Sequence, residues 1–244
     1  QQFCGWVRVG HRPAENTLSV TVSESLLPVL PEVLARIKNL FDLYCEPKAV
    51  YETLQVMNTL QPGLCVLGTR LPGCFNVFEM SVRAVLGQQV TVKAASTLAA
   101  RLVAAYGTQV QTGIEGLTHS FPAPAAILAL GENISGHLGK LGIISARANT
   151  IYQLARVLAD EKNDFGFWGN PEEEMQKLQS IRGIGSWTAQ YIAMRAMGWP
   201  DAFLPTDAGI KKALPDHTPK ELQALSEAWR PWRSYATVNL WNTL

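Results

Sequence analysis

The tripeptide Gly183-Ile184-Gly185 constrains this chain more than any other feature. An apolar-periodic run leads into it, and a second begins at once with Ala189, Ile192, Ala193 and Ala196 on one stripe. The spacing predicts a helix, a tight hairpin and a second helix. Two glycines flanking one apolar residue let the backbone turn sharply, while Ile184 fixes the turn to the core. The amides that open the second helix lack intrahelical partners and carry the positive end of its dipole. Such a corner is able to hold a phosphate without any side-chain charge. Helical hairpins also use glycine for purely structural reasons, so these three residues alone leave both readings open.

The wider stretch from Gln179 to Lys212 narrows the choice. Leu178, Gly183, Ile184, Gly185, Thr188 and Ala189 form the pattern L-x-x-x-x-G-I-G-x-x-T-A, with Asp207 downstream. In this the chain resembles the helix-hairpin-helix DNA glycosylases, and within them the 3-methyladenine DNA glycosylase II family. The resemblance runs from about Val7 to Leu244 and takes in L-P-G-C at Cys74, V-L-G-Q at Gly87 and W-R-P-W-R-S-Y around Arg230. It implies a mainly α fold of the helix-hairpin-helix glycosylase type with a small N-terminal α+β region carrying a partial antiparallel sheet.

Composition sets limits on how such a protein could hold DNA. With 244 residues, 47% of them hydrophobic, the chain is able to bury one large core or two ordinary ones. Its formal net charge is only +1, which argues against binding by bulk electrostatics. Arg182, Arg195, Lys211, Lys212, Arg230 and Arg233 cluster in the C-terminal third, as a basic face or as an ordinary solvated surface. Cys4, Cys45, Cys65 and Cys74 include no C-x-x-C pair, and buried thiols in a reducing compartment fit them. Relatives of the endonuclease III type carry an iron–sulfur cluster after the catalytic helix. No cysteine follows Cys74 here, so no cluster is expected. No apolar run is long enough to span a bilayer, and the start lacks the pattern of a signal peptide. The resemblance implies a bacterial cytoplasmic setting. Because position 1 is Gln, the chain is expected to begin inside a longer parent.

Along the chain, Phe3 to Val9 and Thr17 to Val22 alternate apolar with polar around the turn-rich 11–16 segment and predict a β-hairpin. Val33, Leu34, Ile37, Leu40 and Phe41 then recur at helical spacing over Pro31 to Leu43. The glycines and prolines from Pro62 to Gly73 mark a connection, dividing an N-terminal α+β region (1–72) from an all-α region (73–244). The family's first strands would lie upstream of Gln1, leaving the N-terminal sheet incomplete. Beyond Phe75 the stripes are helical: Phe78, Val82, Val85 and Leu86; Ala95, Leu98, Ala99 and Leu102; Ile151, Leu154, Ala155 and Leu158. The last helix is expected to start within Trp229 to Arg233, with Pro231 in its first turn.

Asp207 opens an expected helix over Ala208 to Ala213, where an ordinary N-cap would serve equally well. The resemblance assigns it as the catalytic carboxylate. An N3- or N7-alkylated purine is already cationic and leaves as a neutral base, so one carboxylate suffices to stabilise the sugar cation and orient the attacking water. Relatives that also nick the strand carry a Schiff-base lysine just before Thr-Ala of the motif. Here that residue is Trp187, and no other lysine lies between Leu178 and Asp207, which points to a monofunctional enzyme. Trp187, Tyr191 and Trp241 match positions that line the family's base pocket, although Trp187 and Tyr191, at i and i+4, would also pack simply as core. Gln89 matches the side chain that fills the gap left by a flipped base, or is a surface glutamine. Gly183, Gly185 and Thr188 are expected to grip the DNA backbone. The carbonyls of Gln179, Ile181 and Ile184 match those that hold a monovalent cation, Na+ or K+, in the family.

The sequence departs from the family at Asn242, where a further pocket aromatic would stand, and at Gln89, which replaces an apolar wedge. The implied partner is double-stranded DNA carrying alkylated bases, met by a monomer that needs no other cofactor. Two rivals stay open: a non-catalytic helix-hairpin-helix DNA-binding module, and a bifunctional glycosylase for oxidised bases.

Overall fold

The computed structural model of the chain describes residues 3–159 and 170–244. It opens with β1 (Val7–Arg12) and β2 (Thr17–Val22), antiparallel and registered from Val7 against Val22 to Arg12 against Thr17. The first strand therefore starts and ends later than the alternation predicts. Asn16 adopts the left-handed conformation, at φ 51°, and closes the turn within 13–16, so that His11 and Arg12 pair. Helix α1 (Leu30–Leu40) lays Val33 and Ile37 over Val7, Val9, Val20 and Val22. That cover gives the two strands the apolar layer that an isolated hairpin lacks in water. Leu34 and Phe41, from the same predicted stripe, remain 36% and 38% exposed.

Helix α2 (Pro47–Leu54) follows, and the proline- and glycine-rich segment leads on to α3 (Val77–Leu86) and α4 (Val92–Tyr106). A two-residue ladder that sequence patterning does not foresee, β3 (Thr108–Gln109) with β4 (His119–Ser120), precedes α5 (Pro124–Leu128), α6 (Ile134–Gly139) and α7 (Ser145–Leu158). The chain then forms α8 (Pro171–Ser180), α9 (Ser186–Ala196), α10 (Ala208–Ala213), α11 (Pro219–Ser226) and α12 (Arg233–Trp241). Helix α12 starts after the predicted position. Pro231 lies outside it, following a cis Arg230–Pro231 bond, and Trp232 takes the N-cap position.

Two large cores result, and α9 is the wall between them. Its Ala189, Ile192, Ala193 and Ala196 pack with α3 to α8, whereas Met194 and the flanks of Trp187 and Tyr191 face the other side. Burial on both faces is why this helix lacks a clean polar stripe. The second core joins Val50, Leu54, Met57, Leu64 and Leu71 to Phe203, Leu204, Ile210, Leu214, Trp229 and Leu240. Residues 50–71 thus share a core with the C-terminal helices, and the division at residue 72 follows the chain rather than the packing. What this arrangement achieves is to seat the 181–185 hairpin, the segment leading to Asp207 and the end of α12 side by side.

Candidate active site

The hairpin is built by close approach. Ile184 is buried and its amide donates to the Ile181 carbonyl at 3.0 Å, closing the turn. Gly183 has φ 97°, and a Cβ there would lie 2.1 Å from Thr150 Oγ1. Only glycine fits, for backbone and steric reasons together. The Thr150 hydroxyl, on α7, donates to the Arg182 carbonyl at 2.9 Å. Gly185 behaves differently from the expectation that both glycines serve the turn. Its φ of −89° suits any residue, and a Cβ would enter open space. As N-cap of α9 it leads into the amides of Ser186, Trp187 and Thr188, which precede the first intrahelical bond, Ala189 N–H to the Gly185 carbonyl.

Thr188 requires a correction as well. It is 3% exposed, and its hydroxyl accepts from Gln88 Nε2 at 3.0 Å, so it faces inward rather than toward a DNA strand. Gln88 also donates to the Gly183 carbonyl at 2.9 Å, while its own carbonyl accepts from Arg147 of α7. The next residue, Gln89, is exposed and left-handed at φ 52°, at the apex between α3 and α4.

Asp207 is the N-cap of α10, and the cap uses only one of its two oxygens. Its Oδ1 accepts from the amides of Gly209 and Ile210 at 2.9 and 3.1 Å, capping α10, and from Trp241 Nε1 at 2.8 Å. Its Oδ2 accepts from Trp187 Nε1 at 3.0 Å. The residue is 8% exposed, buried between two half-buried indoles. Each carboxylate oxygen carries two lone pairs, and Oδ2 accepts a single hydrogen bond, so it retains one position for a water or a sugar.

The aromatic residues form a ladder along α9. Trp187 stacks on Tyr191 at 5.1 Å with an 8° interplanar angle, and the Arg195 guanidinium lies 5.8 Å from the Tyr191 centroid. Trp241 approaches Tyr191 at 6.3 Å, tilted by 48°. Asn242, exposed at the end of α12, does not join this cluster. Two hollows, of about 190 and 150 Å³, lie elsewhere: one among Asp42, Cys74 and Arg195, the other among Thr206, Lys211 and His217. The rings of Trp187, Tyr191 and Trp241 form an aromatic wall beside Asp207.

A second set of contacts, which sequence reasoning missed, holds that wall in place. Arg233 at the start of α12 grips the buried Asp201 carboxylate through Nε at 2.7 Å and Nη2 at 2.9 Å, while Ser234 Oγ accepts from the Ala202 amide. The segment 201–207 is therefore tied to α12 at both ends, by Asp201 with Arg233 and by Asp207 with Trp241. Gly209 completes the fit: a Cβ there would lie 2.8 Å from Trp241 Cδ1 and 3.0 Å from Asp207 Oδ1. The D-A-G order was a visible but unused signal. The supposed basic face loses three members to internal work, because Arg233 and Arg230 pair with Asp201 and Arg195 donates to the Pro72 carbonyl. Arg182, Lys211 and Lys212 remain exposed.

Among the described residues no cluster of three His, Cys, Asp or Glu side chains is placed to ligate a metal, and the four cysteines are free thiols. Burial pushes the Cys74 thiol up to about 11, against the pull of Arg195, which makes it a poor nucleophile. Among those residues, too, no helix is long and apolar enough to cross a membrane.

A glycine-cornered hairpin whose open amides suit an anion thus stands beside a carboxylate held between two indoles. Residues 82–232 match the model of the HhH-GPD superfamily base excision DNA repair proteins, and residues 1–76 match the AlkA N-terminal domain. The chain belongs to that superfamily. It is 38% identical over 230 residues to DNA-3-methyladenine glycosylase 2 of Escherichia coli, covering 94% of this chain and 78% of that protein. It is 42% identical over 215 residues to a probable bifunctional transcriptional activator/DNA repair enzyme AlkA of Mycobacterium tuberculosis, covering 86% of this chain but only 42% of that protein. The solved 3-methyladenine DNA glycosylase of Archaeoglobus fulgidus shares the fold at TM-score 0.75 and 22% identity, over 96% of this chain and 81% of the other.

Proposed function

We propose that the chain is a monofunctional DNA glycosylase that binds double-stranded DNA as a monomer, flips out alkylated, cationic purines such as 3-methyladenine and hydrolyses their N-glycosidic bond. The observation that carries this is the Asp207 carboxylate, held by four uncharged N–H donors at the edge of an aromatic wall. With no cation paired to it among the described residues, its charge is available to the substrate. A carboxylate about 4 Å from a nascent sugar cation contributes about 4 kcal/mol at an effective dielectric of about 20, roughly a thousandfold in rate. The free position on Oδ2 would orient the attacking water or take its proton.

The leaving base needs no acid, because alkylation has already charged it. The ladder of Trp187 and Tyr191, with Trp241, offers an electron-rich face to that cation, an attraction of about 0.5–2 kcal/mol. Selectivity then comes mainly from the weakened glycosidic bond. A Schiff base has no amine to form on at the motif position, where Trp187 donates to Asp207 instead. The amides from Gly185 to Trp187 would grip a backbone phosphate, and the open space at Gly185 leaves room for it. A monovalent cation there would be held by the carbonyls of Gln179, Ile181 and Ile184; the Ile181 oxygen already accepts one hydrogen bond and keeps a lone pair.

The test is mass spectrometry of bases liberated from methylated duplex DNA, run beside borohydride trapping. Released methylpurines without a covalent protein–DNA adduct are expected. An adduct would restore the bifunctional reading, and binding without release would restore the non-catalytic one.

A further inference from the structure

We propose that Gln88 is a positioning residue that locks the exposed apex at Gln89 to the phosphate-binding hairpin, so that gripping the strand and filling the gap behind a flipped base occur as one rigid event. The inference deepens the glycosylase reading and rests on it. Its ground is one half-buried residue that bonds to the hairpin corner and α9 through its side chain and to α7 through its backbone. Gln88 Nε2 donates to the Gly183 carbonyl at 2.9 Å and to Thr188 Oγ1 at 3.0 Å, on the two sides of the hairpin corner. The Gln88 backbone carbonyl accepts from Arg147 of α7, the helix whose Thr150 secures the other side of the same corner through the Arg182 carbonyl.

Hairpin, α7 and apex thus meet at Gln88, the hairpin through its side chain and α7 through its backbone carbonyl. The consequence falls on its neighbour. Gln89 is held left-handed at φ 52°, a conformation that a non-glycine residue keeps only where its surroundings impose it. Removing the Gln88 side-chain amide uncouples the apex from the hairpin and leaves only the Arg147 bond to its backbone, while Gly183 stays fixed by Thr150 and the hairpin keeps its shape.

This separates duplex from single-stranded substrate. A base already unpaired leaves no gap to fill, so its release depends on Asp207 and the aromatic wall alone. The experiment measures single-turnover release from an oligonucleotide with one 7-methylguanine, annealed or single-stranded, for the wild type, Gln88→Ala and Gln88→Glu. Glutamate keeps the shape but cannot donate to Gly183 or Thr188. Two lost hydrogen bonds predict a fall of about tenfold on the duplex for both variants, with single-strand release unchanged. Equal loss on both substrates would make Gln88 merely structural, and no loss on either would remove it from the process; each outcome overturns the proposal. A wild-type protein inactive on both substrates would instead sink the glycosylase reading itself.

Discussion

Gly209 leaves no slack around the carboxylate. Its Cα hydrogen faces the Trp241 ring so closely that a methyl group would stand within 3.0 Å of both the indole and Asp207 Oδ1. Gly209→Ala should therefore push Trp241 away and lengthen its bond to the carboxylate, lowering base release about tenfold, the value of one hydrogen bond to a charged group. Because alanine favours helix over glycine, α10 itself should lose no stability. The paired observation is a changed tryptophan emission with an unchanged or higher Tm. Unaltered release would show that the contact carries no catalytic weight. The same economy lets Asp207 cap α10 and still meet the proposed catalytic role: capping engages Oδ1, while Oδ2 accepts only from Trp187.

The two glycines of the hairpin, alike in sequence, differ in what they do for that element. Gly183 answers to the fold, being left-handed against Thr150, and Gly183→Ala should cost about 1–3 kcal/mol from backbone strain alone, a Tm fall of at least about 2 °C. Gly185 meets no such constraint, since nothing among the described residues stands within 4 Å of a Cβ there, and the proposed phosphate grip is what its small size would serve. Gly185→Ala should leave thermal denaturation unmoved and weaken binding to abasic-site duplex in a gel-shift titration; the reverse pattern would exchange their roles. Helix positions and the Asp207 cap were legible in the sequence because periodicity and cap chemistry are local. The inward turn of Thr188, the paired state of Arg230 and Arg233 and the late start of α12 were not. Each is set by a residue distant in sequence, Gln88 or Asp201, or by the Trp229–Trp232 turn. Gln88 and Gly209 were readable only as letters beside a motif, since their roles come from what they touch.

Across the whole molecule, the N-terminal region is fastened to the last helix through Asp42, whose Oδ2 accepts from the Leu71 amide at 2.9 Å and the Tyr235 hydroxyl at 3.0 Å. Burial raises the Asp42 carboxyl above its ordinary value, outweighing the opposing pull of those two donors. A raised carboxyl contributes stability that is present below the unfolded value, 3.8, and lost as pH rises through the folded one. Asp42→Asn, whose amide oxygen keeps both bonds and suits φ 52°, should then raise Tm at pH 7, with the gain shrinking toward pH 4. A lower Tm at pH 7 would mean the charge itself holds the regions together. The central claim, that one carboxylate between two indoles drives the chemistry, is tested most directly by single-turnover release of a methylated purine by Asp207→Asn, alongside its affinity for abasic-site duplex. Asparagine still caps α10, so binding should stay near wild type while release falls at least about a hundredfold; release at the wild-type rate would contradict the account.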